Sequence, residues 1–599
     1  MIFGIEFSKI VSMKRQGITA VCITFFLAIT VAGCSSRAKK EPDNTVRIFH
    51  PEKIKGLDPV YSTDVYAGLE TALAYEGLLQ YHYLKRPYSL IPNLAESMPE
   101  ISTDGKIYTF KIKKGVLFQD DDCFKETGSK GRELTADDFV YSWMRIADPK
   151  VASTGWWVFD GKIVGLNDWR EEASKNGADY SKTINGLKAV DRYTLRIILT
   201  QPSPVFLYAL ALPVTFVVPK EAVQSYGSDF RNRAVGTGPF KLQEYNPALK
   251  IVWVRNPTYR SEIYPSEGEA EDKQQGLLDD AGKELPLSEK VVAHIFVEDQ
   301  PVWLNFMSGN LDYISIPKDN FDQAVNARKE INPELKAKGI ELRKSVRLDV
   351  TRDTFNMADS LIGKNKFLRQ ALSLAFDGKG FIELFFNGKV VAAQGPIPPG
   401  LPGYDPNLKN PYMEFNLTKA KELLAKAGYP NGKGLPPIEY LSQSSSIFRQ
   451  MTEFYEKSLQ QIGVKLKVSF YSWPEYQNAI RTRRGQIWGQ AWNADYPDAE
   501  NFLQLFYSKN SSPGPNDSNY SNPVFDRLFE KSVSILDINE RARLYKKMVQ
   551  ILVEDCPWLY KVHRVDYDLV HPWLKNYKRS IFDSGRIKYL RVDSKKKIK

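Results

Sequence analysis

The sequence predicts an α/β fold built from several lobes. Of its 599 residues, 43% are apolar and 26% are charged, which is typical of a globular chain. At this length, about two to four domains are expected. Apolar and polar residues alternate over 464–470, the pattern of a half-buried strand, whereas residues 366–376 have helical spacing. Because strand and helix patterns interleave along the whole chain, a mixed fold is favoured over an all-helical or all-strand one.

Further elements each have their own signal. Apolar residues alternate over 108–112 and again over 193–199, so each segment is predicted to be a strand. The helical pattern of residues 418–427 ends at Gly428, a typical residue after a helix C-terminus. Residues 523–555 have the spacing of two helices. No other run beyond the N-terminal one is long and apolar enough to span a membrane.

The first 33 residues are predicted to be a lipoprotein signal peptide. An uncharged, mostly apolar run over residues 18–33 follows a short cationic segment and is typical of secretory signals. Small residues precede Cys34, as in a bacterial lipobox, so Cys34 is the predicted lipidation site. More than one acyl chain gives stable anchoring, with residues 34–44 as a lipidated tether. The alternative is a plain N-terminal membrane helix.

Charge and cysteine content exclude several classes of protein. The formal net charge of +11 becomes +9 when a leader with three basic residues and one acidic residue is removed. No basic helix or stripe of Lys and Arg interleaved with aromatic residues is present, so no nucleic-acid partner is predicted. Cys123 and Cys556 are the two unlipidated cysteines of the mature chain. The sequence leaves open whether they form a disulfide.

Residues 261–290 differ in composition from the rest of the chain. They contain nine acidic residues and three lysines, a net charge of −6, together with several glycines and prolines. This composition favours an acidic surface insertion between two lobes, partly disordered. A solvated loop without function is the simpler interpretation.

No local motif indicates catalysis. The chain lacks G-x-S-x-G, H-E-x-x-H, C-x-x-C and a complete Walker A pattern. Its five histidines never fall at the spacing of metal ligands. The sequence therefore predicts a protein that is not an enzyme and has no cofactor and no metal site, although catalytic groups far apart in sequence would escape this search.

A series of short segments stands in a fixed order along the mature chain. They are residues 57–59 (LDP), 75–79 (YEGLL), 91–97 (IPNLAES), 104–118, 134–143 (LTADDFVYSW), 235–240 (VGTGPF), 255–259 (RNPTY), 368–372 (LRQAL), 395–400 (GPIPPG), 427–430 (AGYP) and 492–498 (WNADYPD). Each alone is common, but together they resemble the family 5 extracellular solute-binding proteins of ABC importers, the oligopeptide and dipeptide binders. The chain departs from that family in the acidic insertion and over residues 120–133.

The resemblance implies a two-lobe type II periplasmic-binding-protein fold with a hinge and an extra α/β subdomain on the first lobe. The expected boundaries are 45–72, 184–261 and 556–599 for the first lobe, 73–183 for the subdomain and 262–555 for the second lobe. ABC permease and ATPase subunits are the implied partners. A monomer is expected outside the cytoplasm, lipid-anchored to a bacterial membrane.

The resemblance also implies a ligand site around Asp495. In the peptide binders, an Asp after a Trp-x-x motif meets the ammonium group of the ligand, and the preceding residues pair with the peptide main chain. The matching residues are Asp495, Trp492, Asn493 and Ala494. Capping of a turn is the simpler role for Asp495. The other expected site residues are Gln490, Trp488, Tyr496 and Arg483.

The group that would meet a ligand carboxylate is left open. Some family members have an arginine just upstream of the tryptophan, where this chain has Gly489 and Gln490. The nearest cations are Arg481, Arg483 and Arg484, so a fixed dipeptide length is not predicted.

The leading hypothesis is a substrate-binding lipoprotein that captures oligopeptides for an ABC importer. One alternative is the same fold binding a nickel chelate, an oligosaccharide or an opine. Another is an extracytoplasmic enzyme or an interaction lipoprotein.

Overall fold

A computed structural model describes residues 42–597 of the chain, except Lys55, Pro513 and Asp583. The predicted signal peptide, Cys34 and the tether up to residue 41 lie outside the described residues. Strands and helices interleave along the described part, and several sheets combine distant segments. The predicted α/β class is confirmed.

Strands in the described residues form six sheets. The strands are β1 (Thr45–His50), β2 (Leu79–Tyr81), β3 (Leu90–Pro92), β4 (Glu100–Ile101), β5 (Ile107–Lys111), β6 (Leu187–Asp191), β7 (Thr194–Ile198), β8 (Phe240–Asn246), β9 (Lys250–Arg255), β10 (Lys290–Ile295), β11 (Tyr313–Ser315), β12 (Glu341–Val346), β13 (Asp349–Phe355), β14 (Val391–Ala392), β15 (Ile438–Gln443), β16 (Leu466–Tyr471), β17 (Ile487–Asn493), β18 (Trp558–His563), β19 (Val565–Val570), β20 (Leu574–Lys575) and β21 (Arg591–Val592).

The α-helices range from a single turn to 18 residues. They are α1 (Val65–Ala74), α2 (Ala136–Ala147), α3 (Leu166–Asn176), α4 (Phe206–Ala209), α5 (Lys220–Tyr226), α6 (Ala270–Gln274), α7 (Asp299–Met307), α8 (Phe321–Ala324), α9 (Pro333–Ala337), α10 (Lys366–Leu374), α11 (Gly378–Phe386), α12 (Leu417–Lys426), α13 (Ser446–Gln460), α14 (Trp473–Arg481), α15 (Glu500–Leu503), α16 (Pro523–Ser532) and α17 (Ile538–Asp555). Among the described residues, no helix has both the length and the apolar character needed to cross a membrane.

The first lobe is built on two sheets that join distant parts of the chain. In the larger sheet, with order β1-β10-β9-β8, β1 runs parallel to β10. In the smaller sheet, β19 lies between β11 and β12. The second lobe was expected to begin at residue 262, whereas β10, β11 and β12, which follow that residue, pair with β1, β9 and β19.

The second lobe is built on one sheet with order β14-β18-β13-β17-β15-β16. Helices α10, α12 and α13 pack their apolar faces against this sheet and form a core that includes Leu372, Leu424 and Leu459. The sheet also contains β18, although the first lobe was expected to resume at residue 556. Strand β18, which follows that residue, pairs with β13 and β14 of this sheet.

The chain passes between the lobes at two adjacent points. Arg347 and Leu348 connect β12 to β13, and Arg564 connects β18 to β19. The Arg347 main-chain N–H donates to the Arg564 carbonyl at 2.8 Å. The buried Asp349 carboxylate accepts from the Arg564 main-chain N–H at 2.9 Å. The two hinge segments are therefore held side by side.

The extra subdomain is organised around an antiparallel sheet with order β4-β5-β7-β6. Helices α2 and α3 lie between β5 and β6 in the chain. The subdomain was expected to end at residue 183, whereas β6 and β7, which follow that residue, pair with each other and β7 pairs with β5.

The acidic segment 261–290 is folded, not partly disordered, and it lies on the first lobe. Tyr264, Leu277 and Leu285 form a small core with Tyr83 and Tyr589. Its acidic groups pair with basic residues of the C-terminal segment. These pairs are Lys578–Asp272 at 2.6 Å, Arg591–Asp280 at 2.5 Å and Lys588–Glu262 at 2.9 Å. Charge pairing and a local core explain why an acidic composition did not produce disorder.

Cys123 and Cys556 do not form a disulfide. Both are buried free cysteines, one in the subdomain and one just after α17. The Cys556 sulfur lies 3.3 Å from the Ser373 hydroxyl within the second lobe. The disulfide that the sequence left open is therefore absent from this structure.

Candidate functional site

A cavity of about 560 Å³ is lined by residues of both lobes and the subdomain. The first lobe contributes the beginning of α1, the subdomain contributes Trp157, and the second lobe contributes residues 493–495. Val65 and Trp157 are 64% and 44% exposed, so apolar surface is open on the cavity wall. An apolar wall with a few convergent polar groups is typical of a ligand site.

Asp495 reaches this cavity because of how β17 ends. This strand is held between β13 and β15 in the second-lobe sheet. Beyond its last residue, the Ala494 main-chain N–H donates to the carbonyl of Leu348, at the hinge, at 2.8 Å. The chain then turns, and Asp495 lines the cavity beside Asn493 and Ala494. These three predicted site residues are brought together.

The Asp495 carboxylate is half-buried, and nearby groups balance its negative charge only in part. Burial raises its pKa above the usual 3.8, while the hydrogen bond from Asn501 and the nearby Lys162 ammonium lower it. The Asn501 side-chain nitrogen donates to Asp495 Oδ2 at 2.9 Å. A desolvated carboxylate favours a cationic partner, and a ligand ammonium group would be one.

Asn493 connects the site to the hinge. It is exposed and lines the cavity, and its side-chain oxygen accepts a hydrogen bond from Arg564 Nη2 at 3.0 Å. The Arg564 Nε also donates to the buried Asp349 carboxylate. Arg564, at the hinge, therefore binds both Asp349 of β13 and Asn493, the last residue of β17.

Tyr496 makes a contact between the lobes. It is 9% exposed, and its ring stacks on the ring of Tyr208, which lies in helix α4 of the first lobe. Its hydroxyl donates to the buried Glu500 carboxylate. Burial raises the pKa of Glu500 to about 7, with Asp498 contributing in the same direction. Tyr496 is thus next to the cavity without lining it.

Three other predicted site residues lie away from the cavity lining. Trp488 is fully buried and packs on Leu441, so its expected place at a ligand pocket is corrected to a core position. Gln490 is half-buried within β17, opposite Arg352. Trp492 is half-buried, and its indole N–H donates to the Asn501 oxygen at 2.9 Å, beneath the site.

Arg483 also lies elsewhere. It has a left-handed backbone, with φ of 61°, and its guanidinium donates to the Ser512 carbonyl at 2.9 Å. It lines a separate surface depression with Asp359 and Glu439. Arg483 was expected among the ligand-binding residues, but it does not line the cavity beside Asp495, because the turn after α14 directs it to another face.

The cavity cations come instead from the hinge and the C-terminal segment. Arg347, Arg579 and Arg586 line the cavity. Asp566 joins the first two, with Arg347 Nε donating to Oδ1 at 2.7 Å and Arg579 Nε lying 2.9 Å from Oδ2. No local pattern marked these arginines, because they come from separate parts of the chain and meet only in the folded protein.

No group of three or more His, Cys, Asp and Glu side chains in the described residues has the geometry to hold a metal ion. The charged groups that line the cavity are the carboxylates of Glu52, Asp64, Asp495 and Asp566 and the guanidinium groups of Arg347, Arg579 and Arg586. Charges of both signs suit a ligand with both a cationic and an anionic part. This arrangement and the two hinged lobes define the class: a solute-binding protein of the two-lobe type.

The chain belongs to the bacterial extracellular solute-binding proteins, family 5, whose middle-region model matches residues 89–514. The resemblance inferred from the sequence motifs is confirmed. The chain is 27% identical over 521 residues to Heme-binding protein A of Haemophilus influenzae, covering 84% of each chain. It is 26% identical over 511 residues to the Dipeptide-binding protein of Escherichia coli, covering 82% of this chain and 83% of that relative.

A solved structure also matches nearly the whole chain. The periplasmic binding protein DppA of Helicobacter pylori, associated with an ABC transporter and solved in complex with the peptide STSA, is 25% identical to it. The TM-score is 0.68, with 92% of this chain and 98% of that chain covered. The two-lobe type II fold is therefore confirmed.

Proposed function

We propose that this protein captures peptides in the cavity between its lobes and delivers them, as a lipid-anchored monomer, to the permease of an ABC importer. The observation that carries the proposal is the half-buried Asp495 carboxylate in a cavity that also contains arginines. A peptide has an ammonium group at one end and a carboxylate at the other. The cavity offers each end a partner of opposite charge.

Asp495 is the proposed anchor for the amino terminus. Its pKa is raised by burial, which is the mark of a carboxylate that lacks a full counter-charge. An ammonium group entering the closed cavity would supply that charge where water screens it little. Asn493 and Ala494 precede Asp495 at the end of β17 and line the same cavity, so an extended ligand anchored at Asp495 would lie beside them.

Arg347, Arg579 and Arg586 are the proposed partners of the carboxylate end. The Asp566 carboxylate pairs with both Arg347 and Arg579, and Arg579 pairs in addition with the buried Asp568 carboxylate, at 2.7 Å from Nη1. The side chain of Arg347 is also 37% exposed, which leaves it open to a ligand. This assignment replaces Arg483. It sets no fixed peptide length, because guanidinium groups reach over several ångströms.

The relatives support binding of a small solute. They differ in which solute, since one is named as a heme binder and another as a dipeptide binder. Native mass spectrometry of the protein purified from its source should show co-purified short peptides. A different defined solute would contradict the peptide assignment. An empty protein that turns over a substrate would support the enzyme alternative.

Calorimetry on Asp495→Asn tests the anchor directly. Leaving a ligand ammonium group buried without its partner costs on the order of 3–5 kcal/mol. Free-amino peptides should therefore bind the variant about two to three orders of magnitude more weakly. N-acetylated peptides should bind both proteins poorly and almost equally. Glu52→Gln, which removes another carboxylate of the same cavity, is the matched control and should bind as wild type.

The lipid anchor is a separate part of the proposal and rests on the lipobox before Cys34. Cys34→Ala should abolish acylation and leave the precursor unprocessed. Mass spectrometry and detergent-phase partitioning of the two proteins measure this. Partitioning of the variant into detergent at the mature mass would contradict the lipobox interpretation.

A further inference from the structure

Asn501 lies just beneath the cavity and contacts two residues of the candidate site. It is fully buried in α15. Its side-chain oxygen accepts from the Trp492 indole N–H at 2.9 Å and from the Asp495 main-chain N–H at 3.1 Å. Its side-chain nitrogen donates to Asp495 Oδ2 at 2.9 Å. One amide thus makes three hydrogen bonds with the segment that bears the proposed anchor.

Among side chains of this size, only an amide can both accept from two N–H groups and donate to a carboxylate. The indole and main-chain N–H groups can only donate, and an ionised carboxylate can only accept. An aspartate at position 501 would have the same shape and could serve the two donors. It would, however, place a second negative charge against Asp495, and like charges at this separation disfavour ionisation of both.

The bond from Asn501 leaves one carboxylate oxygen available. Oδ2 of Asp495 is occupied by the Asn501 amide. In the described part of the chain, Oδ1 accepts no hydrogen bond from a protein group, although Asp495 lines the cavity. The carboxylate is therefore held by one oxygen and presents the other.

We infer that Asn501 is a positioning residue, which fixes the direction in which Asp495 presents its free carboxylate oxygen to the ligand's ammonium group. This inference rests on the proposed function. It assigns Asn501 no contact with the ligand. Asn501 acts on the ligand through Asp495. Because the Asn501 side-chain oxygen also accepts from the Trp492 indole, it orients that ring as well.

The electrostatics of the segment agree with this role. Burial raises the pKa of Asp495, and the Asn501 hydrogen bond is the largest influence in the opposite direction, followed by Lys162 of the subdomain. The neighbouring acidic groups on the same segment are Asp498 and Glu500, and Tyr496 lies between them and Asp495. Removing the Asn501 donor should therefore raise the pH at which Asp495 loses its charge.

The test is a double-mutant cycle with Asn501→Asp and Asp495→Asn. The probe is a randomised tetrapeptide pool, prepared with free and with N-acetylated amino termini. Calorimetry over pH 5–8 should show Asn501→Asp weakening the free-amino pool at pH 7 by about tenfold or more. The acid side of its pH profile should move to higher pH. Binding of the acetylated pool should hardly change, and Asp495→Asn should abolish the effect of the second substitution.

Asn478→Asp is the matched control, since it makes the same substitution at an exposed position of α14, outside the cavity lining. It should bind both pools as wild type does. If Asn501→Asp fails to fold, Asn501→Ser, which is too short to bridge to Asp495 and adds no charge, should weaken the free-amino pool in the same direction. Equal loss for both pools, or wild-type binding by both Asn501 variants, would overturn the inference.

The cycle separates this inference from the proposed function. Failure of wild type to bind the free-amino pool, or wild-type affinity in Asp495→Asn, would refute the anchor itself. Weak binding by Asp495→Asn together with normal binding by Asn501→Asp would leave the anchor in place and refute only the role of Asn501.

Discussion

Tyr208 of the first lobe stacks on Tyr496 of the second lobe, with ring centroids 6.1 Å apart and planes 4° from parallel. Tyr496 directly follows Asp495, so a contact between the lobes is adjacent to the proposed ligand anchor. Tyr208 also stacks on Tyr81 of the first lobe, at 6.4 Å. A row of three tyrosines thus connects the body of the first lobe to the segment that bears the proposed anchor.

Tyr208→Ala should favour the open state. Loss of an aromatic pair removes about 0.5–1.5 kcal/mol, so affinity for the free-amino tetrapeptide pool should fall about two- to tenfold. Small-angle scattering of the unliganded variant should give a larger radius of gyration than wild type, since the stack joins the two lobes in this structure. Tyr208→Phe keeps the ring and should behave as wild type. An unchanged scattering profile and affinity in Tyr208→Ala would show that the stack does not contribute to closure.

Binding of free-amino peptides should weaken as the pH falls. Burial raises the pKa of Asp495 above 3.8, and the ligand needs the ionised form. Affinity should therefore be constant above that raised pKa and fall by about tenfold per pH unit below it, because a proton must then leave on binding. Calorimetry from pH 8 to pH 4 in a Glu500→Gln background avoids titration of the neighbouring carboxyl. The same profile in Asp495→Asn would assign the pH dependence to another group.

Glu500→Gln should stabilise the protein at alkaline pH. Burial raises the pKa of Glu500 from 4.5 to about 7. Since the folded pKa is above the unfolded one, the cost of ionisation is absent at low pH, grows between about pH 4.5 and 7 and is complete above it. The gain in free energy of unfolding at pH 8 is at most on the order of 3 kcal/mol. Urea unfolding at pH 5 and pH 8 should show a much larger gain at pH 8.

The exposed Glu453 supplies the control for that comparison. Glu453→Gln should leave the free energy of unfolding unchanged at both pH values. An equal gain for Glu500→Gln at pH 5 and pH 8 would mean that better packing, rather than removal of a buried charge, is responsible.

The two buried cysteines, Cys123 and Cys556, should be free thiols that react only on unfolding. Burial raises the pKa of Cys556 to about 11 and makes its thiolate rare at neutral pH. Iodoacetamide should therefore add nothing to the native protein and two groups to the urea-unfolded protein, without prior reduction. Modification that requires a reductant would instead demonstrate a disulfide between Cys123 and Cys556.

The motifs predicted the family and the fold class, and both are confirmed. Residues 492–498 carry a local signal, and the structure places Asn493, Ala494 and Asp495 together on the cavity wall. The aromatic residues were harder to assign. Trp488 and Tyr496 are two of the bulky apolar groups of one segment, and only the packing decides that the first is in the core and the second between the lobes.

By itself, the sequence determined the family and with it the two-lobe α/β fold, because the motifs that carry the resemblance are short and depend on local turns and strands. Only the tertiary structure decided which segments join which lobe and which cations face the cavity. Pairing of β10 with β1, and the meeting of Arg347 with Arg579 across Asp566, involve parts of the chain far apart in sequence. Hydrogen bonds and ion pairs of this kind depend on distance in space, and no local pattern of residues encodes that distance.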